Sequence, residues 1–251
     1  MIPAAVILLA PLCIGGIILA FHWPFSAQNI TQAIQEDWPG KITVQRFHRT
    51  YFPHPGCVLE NVALTRGSTP ADTLLVTIQK LTIAANYHDL LLRPGYVSTV
   101  TVEGLKISIP TDKPQDPPKP HQTSNSVNSS VRLGEVFTKD AVLEIAQEGD
   151  APLKFEIHRL TLKSITNSGP MSYDLAMRNA QPPGEIRASG KLGPLDTQHL
   201  DNIPLSGSYN FDQADLGVFG GIAGTLSAKG EFHGVLGKIE TQGTTDTPIL
   251  K

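Results

Sequence analysis

Cysteine and basic charge are both scarce in this sequence. Two cysteines in 251 residues are too few for a disulfide framework or a cysteine-rich metal site. A net charge of -3, without any basic block, excludes the electrostatic footprint by which proteins bind nucleic acid. In contrast, 40% apolar residues exceed what a disordered chain carries. The 22 glycines and 20 prolines favour strands and turns over a helical bundle.

Motifs of catalysis and metal binding are also lacking. The eight histidines are scattered, and none forms a pair with metal-ligand spacing. No Gly-x-Ser-x-Gly nucleophile motif occurs. The glycine-rich stretch from Gly217 to Gly224 lacks the Lys-Ser/Thr pair of a phosphate-binding loop, so we interpret it as a strand corner. We therefore expect no catalytic residue, no metal and no cofactor, and expect that the protein is not an enzyme.

The longest apolar run lies at the N-terminus. Residues 2–21 are uncharged and long enough to cross a hydrocarbon core of about 30 Å. A cleaved signal peptide is the alternative, but such peptides carry a basic start and a shorter apolar core. We therefore predict an uncleaved anchor over residues 1–25, with Phe21, Trp23 and Phe25 as an aromatic belt. The first basic residue after the run is Lys41, so the bulk of the chain is expected to be exported.

A short amphipathic helix is predicted over residues 26–39. Ser26 is a suitable N-cap, and Pro39 with Gly40 ends the pattern. Apolar residues recur at helical spacing, namely Ile30, Ala33, Ile34 and Trp38. The helix is expected either to pack on the sheet that follows or to lie on a bilayer surface.

A strand pattern then recurs four times. Each copy has two alternating apolar residues, a skip of two residues and two more apolar residues. The copies are Cys57, Leu59, Val62, Leu64; Val76, Ile78, Leu81, Ile83; Val100, Val102, Leu105, Ile107, continued by Ile109; and Phe155, Ile157, Leu160, Leu162. Side chains alternate faces along a strand, so each skip needs a bulge to keep the apolar set on one face. Asn61, Lys80, Gly104 and Arg159 lie in the skips.

The remaining segments divide the chain. A helical turn is predicted at residues 87–95, where Pro94 and Gly95 close it. Residues 110–130 are rich in proline and then polar, which predicts a disordered linker between a first β segment at 40–109 and a second at 131–251. The runs from Gly184, Pro204 and Gly224 predict an antiparallel meander. We expect this second segment to be open-ended or part of a longer chain. The apolar faces favour either a closed sandwich or an open groove for an apolar ligand.

The order of these features resembles the N-terminal region of the AsmA family. The resemblance covers nearly the whole chain and rests on RFHRTYFPHPGCVLENVALTR, TLLVTIQKLTIAANYHDLLLRPGYVSTVTVEGLKISIP and the later FEIHRLTLKSITNSGPMSYDLAMRNAQPPGEIRASGKLGPL. These are strand spacings and a Phe-Pro-x-Pro-Gly turn, without catalytic residues. Members of this family are usually much longer than this chain.

The resemblance implies a mainly β protein whose curved, bulged antiparallel sheet forms an open groove. It implies a single-pass anchor in the bacterial inner membrane, with the bulk of the chain in the periplasm. Phospholipid is the expected ligand, in outer-membrane or envelope biogenesis, and envelope proteins are further expected partners. The lipid-groove candidates are the members of the second, third and fourth copies: Val76, Ile78, Leu81, Ile83, Val100, Val102, Leu105, Ile107, Ile109, Phe155, Ile157, Leu160 and Leu162. The alternative is a non-enzymatic envelope assembly factor that binds partner proteins through its exported sheet.

Overall fold

The structure is a computed structural model, and it describes residues 25–37, 40–67, 73–92, 96–110, 132–165, 169–194 and 202–250. The predicted anchor up to residue 24 and all but the first residue of the predicted linker lie outside the described residues. No helix in the described ranges is both long enough and apolar enough to cross a membrane.

All the described strands belong to one open sheet. Eleven strands follow each other in chain order across this sheet, and strands of both predicted β segments belong to it. The strands are β1 (Lys41–Thr50), β2 (Gly56–Arg66), β3 (Leu74–Ala84), β4 (Tyr96–Ile109), β5 (Arg132–Ile145), β6 (Leu153–Ile165), β7 (Met171–Asn179), β8 (Gly184–Leu192), β9 (Pro204–Asp215), β10 (Gly224–Val235) and β11 (Lys238–Leu250). The prediction of a mainly β protein is confirmed.

The sheet is not antiparallel throughout, which corrects the predicted fold class. β4 and β5 run parallel, with Val100 opposite Val136 and Ile107 opposite Leu143. Every other neighbouring pair is antiparallel. A parallel pair needs a connection of about a dozen residues or more. The segment 110–131 is long enough to return the chain to the end of the sheet where β4 starts.

Two short helices accompany the sheet. The first, α1 (Ala27–Asp37), begins where Ser26 accepts a hydrogen bond from the backbone N–H of Asn29 at 3.1 Å, which confirms the predicted cap. Its Ile30 packs against the buried cluster of Cys57, Leu59 and Val62, so the helix lies on the sheet. Phe25 is 3% exposed within the same cluster. Its place in the predicted aromatic belt was therefore wrong, because the sheet offers this ring an apolar site. The second helix is α2 (Tyr87–Leu92).

A row of aligned irregular positions crosses the first six strands, without a register shift between β1 and β6. Regular pairing is interrupted at one position in each strand, and the register places these positions opposite one another: Gln45, Asn61, Gln79, Gly104, Asp140 and His158. We call this set the bulge row. Three of its members have positive φ, 51° at Asn61, 64° at Gly104 and 53° at Asp140. The extra residue in each strand keeps the apolar side chains on one face, as the skips predicted. In β3 and β6 the unpaired residue is Gln79 or His158, whereas Lys80 and Arg159 are regularly paired.

Candidate functional site

The register brings the predicted groove residues of β3 and β4 together on one face. Val76 is opposite Ile107, Ile78 is opposite Leu105, Leu81 is opposite Val102 and Ile83 is opposite Val100. The same face continues to β2, where Leu59 pairs with Leu81 and Val62 with Ile78. Directly opposite residues share a face of the sheet. The second and third copies of the sequence pattern are therefore two adjacent columns of one apolar surface.

The fourth copy joins this surface through β5, which the sequence pattern did not identify as a groove strand. Val136 and Leu143 of β5 lie opposite Val100 and Ile107 on one side. On the other side they lie opposite Leu162 and Phe155 of β6. In β5 the four pattern positions are Val136, Thr138, Ala141 and Leu143. The second position is a threonine and the third a small alanine, so the strand does not show the apolar pattern. The place of β5 on this surface can therefore be identified only from its pairing register with β4 and β6, and not from its own sequence pattern.

The apolar face extends over the remaining strands. The same register continues from Leu160 and Leu162 of β6 to Leu175 and Tyr173 of β7. It then passes through small and aromatic residues of β8, β9 and β10, namely Ala188, Gly190, Gly207, Tyr209, Phe211, Ala228, Gly230 and Phe232. Eleven strands at about 4.8 Å spacing give this surface a width of about 48 Å. We call it the apolar face.

The cover over the apolar face is local. Cys57 and Leu59 are 0% exposed, beneath Phe25 and Ile30. In contrast, Ile78, Val100 and most of the predicted groove residues are only partly buried, and Ile109 is 38% exposed. The described residues contain one sheet and no second layer of strands. A closed sandwich core would bury both sheets fully, so the described residues leave most of the apolar face uncovered.

The opposite face is charged. Cross-strand ion pairs bridge its strands, among them Lys106 with Glu144 at 2.9 Å and Arg159 with Asp174 at 2.9 Å. On β6, the Lys154 ammonium donates to the Glu156 carboxylate at 2.9 Å, and this hydrogen bond holds the pKa of the Glu156 carboxyl below its ordinary value. These pairs are exposed and each adds little to stability. Their effect is to keep this face in water.

A depression of about 560 Å³ lies on the charged face, in the second half of the sheet. Its side chains come from β6 to β11, and include Arg159, Asp174, Arg187, Asn210 and Lys229. Arg159 pairs with Asp174, whereas Arg187 and Lys229 make no ion pair within the described ranges. This concavity is therefore polar, and it lies on the reverse side from the predicted groove residues.

Tyr173 is an exception on the apolar face. Its side chain is 8% exposed, and its hydroxyl has no hydrogen-bond partner within the part of the chain that the structure describes. Burial raises the pKa of this hydroxyl to about 12. A Cβ placed on Gly207 would lie 2.9 Å from the hydroxyl oxygen. The ring of Tyr173 therefore extends over the glycines of β8 and β9, which leave it room.

The described residues offer little reactive chemistry. No group of three or more His, Cys, Asp or Glu side chains with metal-binding geometry occurs within the described ranges. Burial raises the pKa of the Cys57 thiol to about 12, so this thiol is protonated and not nucleophilic at neutral pH. In the glycine-rich stretch, Asp215 accepts the N–H of Gly217 at 2.8 Å and caps a short 3₁₀ helix, Leu216–Phe219. This N–H is therefore already bonded, as in a strand corner.

Protein-family models, curated proteins and solved structures were all compared with the chain, and none of them matches it.

Proposed function

We propose that this protein is a membrane-anchored envelope protein that binds phospholipid acyl chains along its apolar face. The observation that carries the proposal is the largely uncovered, continuous apolar surface of β3 to β6, on which the predicted groove residues lie. Large exposed apolar surfaces on proteins are usually binding sites. The run 2–21 provides the anchor, in the bacterial inner membrane, with the sheet in the periplasm.

The energy of lipid binding fits a surface of this size. Removing about 25 to 30 methylene groups of a two-chain lipid from water is worth roughly 20 kcal/mol, at about 0.8 kcal/mol for each group. Only a long apolar surface can bury that many methylene groups once they leave the bilayer. The bulge row supports the proposal, because six strands keep their apolar side chains on the same face across it.

A glutamate on the apolar face tests the proposal. The Ile107→Glu chain, purified whole in mild detergent, is expected to keep its melting temperature and to lose co-purified phospholipid in native mass spectrometry. The charge is hydrated when lipid is absent, but it opposes acyl chains. The matched control is Thr77→Glu, since Thr77 lies on the charged face opposite Lys106. This control is expected to retain both lipid and fold.

Two results would contradict lipid binding at this face. One is a stable Ile107→Glu protein with as much bound phospholipid as the unchanged chain. The other is a large fall in melting temperature, because it would mean that Ile107 is buried under a cover that leaves the carboxylate unpaired.

The second candidate function is binding of envelope proteins through the exported sheet. It is supported by the outer edges of β1 and β11, which pair with no other strand within the described ranges, and by the polar depression with Arg187 and Lys229. An open strand edge is a site for strand addition by a partner. Absence of any phospholipid from the purified unchanged chain would favour this candidate over lipid binding.

A further inference from the structure

Four large exposed side chains lie in two segments at one end of the sheet. They belong to the turn between β1 and β2 and to helix α2: Phe52 is 89% exposed, Leu92 67%, Tyr51 53% and Tyr87 40%. We call them the aromatic tip. Side chains of this size are not usually so exposed in neighbouring segments unless they contact something.

The aromatic tip is held in place by the fold. The backbone N–H of Ala85 donates to the carbonyl of Pro55 at 2.8 Å, and the Tyr87 hydroxyl donates to the carbonyl of Tyr51. Leu90 of α2 packs against the buried cluster below. These contacts fix the turn and the helix side by side, so the exposure of Phe52 is part of a defined surface.

The apolar run at residues 2–21 indicates what the aromatic tip faces. Phe25 lies in the buried cluster, which reaches this end of the sheet at Cys57 and Ala85. The apolar run ends at Phe21, four positions earlier. Four residues span at most about 14 Å, and the headgroup layer on each side of a bilayer adds about 5–7 Å. An anchor that crosses the bilayer therefore brings this end of the sheet to the membrane surface.

From these observations we infer that the aromatic tip is a second membrane contact, inserted into the headgroup region of the bilayer that holds the anchor. Tyrosine and other amphipathic or apolar rings are favoured at this depth. The inference rests on the proposed anchor, and it deepens the proposed function because it sets the orientation of the sheet. The partly buried end of the apolar face at Ile83 and Val100 then faces the lipid layer, beside the part that Phe25 and Ile30 cover, so that an acyl chain can reach the sheet there.

The other end of the sheet provides a matched control. Phe219 is 49% exposed in the 3₁₀ helix between β9 and β10, beside Val218 and Ile222. This segment precedes Gly224, whereas β10 reaches the anchored end of the sheet at Val235. A strand of 12 residues separates the two ends by about 40 Å. Phe219 is therefore an exposed phenylalanine of the same sheet that is expected to lie far from the membrane.

The test uses nitroxide labels on the full chain in nanodiscs of phosphatidylcholine. Phe52→Cys and Phe219→Cys are each made in a Cys13→Ala background, and buried Cys57 remains unlabelled. The background chain without an added cysteine is the blank. At position 52 we expect several-fold fewer collisions with a water-soluble nickel chelate than at position 219, and more collisions with oxygen.

Three other outcomes would each overturn the inference, for different reasons. If the chain inserts into nanodiscs but the two labels meet the nickel chelate equally, the tip does not touch the bilayer, while the proposed anchor stands. If position 219 is the protected one, the orientation is reversed. If the chain does not associate with nanodiscs at all, the proposed anchor fails and this contact fails with it.

Discussion

The two ends of the strand order, β1 to β4 and β7 to β11, keep an apolar face by different means. In the first region the apolar face is built from large aliphatic residues, and Cys57, Leu59 and Val62 are buried beneath Phe25 and Ile30. In the second region glycines occupy the same face, with Gly190 opposite Gly207 and Gly230 opposite Gly243. Most of its other side chains are only partly buried.

The difference teaches that alternation alone does not produce a core. A strand face becomes a core only where another element covers it, and α1 covers only part of this sheet. In the second region, the backbones approach closely where glycines face each other, and aromatic rings fill the space above them. Stability is therefore expected to be concentrated in the first region, and the next three predictions test that expectation.

The largest effect is expected for Leu59→Ala in the first region. Leu59 is 0% exposed, and removing a fully buried leucine side chain costs about 2–5 kcal/mol. Ile186→Ala in β8 removes a partly buried side chain and is expected to cost less than about 2 kcal/mol. Urea unfolding followed by circular dichroism measures both. Equal losses would show that the two regions are equally well packed.

A smaller loss is expected for Gly190→Ala in the second region. A Cβ at this position would lie 1.9 Å from the carbonyl oxygen of Ser206, so the backbones must separate. Such overpacking costs typically about 1–3 kcal/mol. Ser189→Ala, one residue away on the charged face, is the control and should change the unfolding free energy by less than about 0.5 kcal/mol. If the two variants unfold alike, the close approach of β8 and β9 is not required.

The smallest effect is a gain, expected for Tyr173→Phe. The Tyr173 hydroxyl is buried without a hydrogen-bond partner in the described part of the chain, and an unpaired buried polar group carries a desolvation penalty. Its removal is expected to raise the unfolding free energy by about 1 kcal/mol. Tyr209→Phe, on the same face and only partly buried, should be neutral. A loss of stability in Tyr173→Phe would show that the hydroxyl bonds to a residue outside the described ones.

The bulged strands were predictable because their signal is local. Side-chain alternation has a period of two, so the skips at Asn61, Gly104 and Arg159 require an extra residue in each strand. Positive φ at Asn61 and Gly104, and the register shift between Ile157 and Arg159, fit that prediction. The capped helix α1 was predictable for the same reason, since Ser26 and the apolar spacing lie within a few residues of each other.

Features that depend on direction or register were not predictable. The alternation of side chains in β5 is the same whether the strand runs parallel or antiparallel to β4. The long connection between the two strands is compatible with a parallel pair but does not require one. The polar depression combines side chains from six strands whose offsets the sequence does not encode. Phe25 lies only four positions after the end of the apolar run, so its neighbours favoured a membrane interface, whereas its burial depends on where α1 packs.

The bulge row also restricts how this chain can change its length. Each strand from β1 to β6 contains one extra residue at this row, so neighbouring strands stay in register with each other. The row ends at β6, where the register with β7 shifts by one residue. Losing a single residue at Gln79 would put half of β3 out of phase with both neighbours, turning its charges inward. One-residue deletions there are therefore expected to be tolerated only in compensating sets, while β7 to β8, whose register is unbroken, carry no such shared constraint.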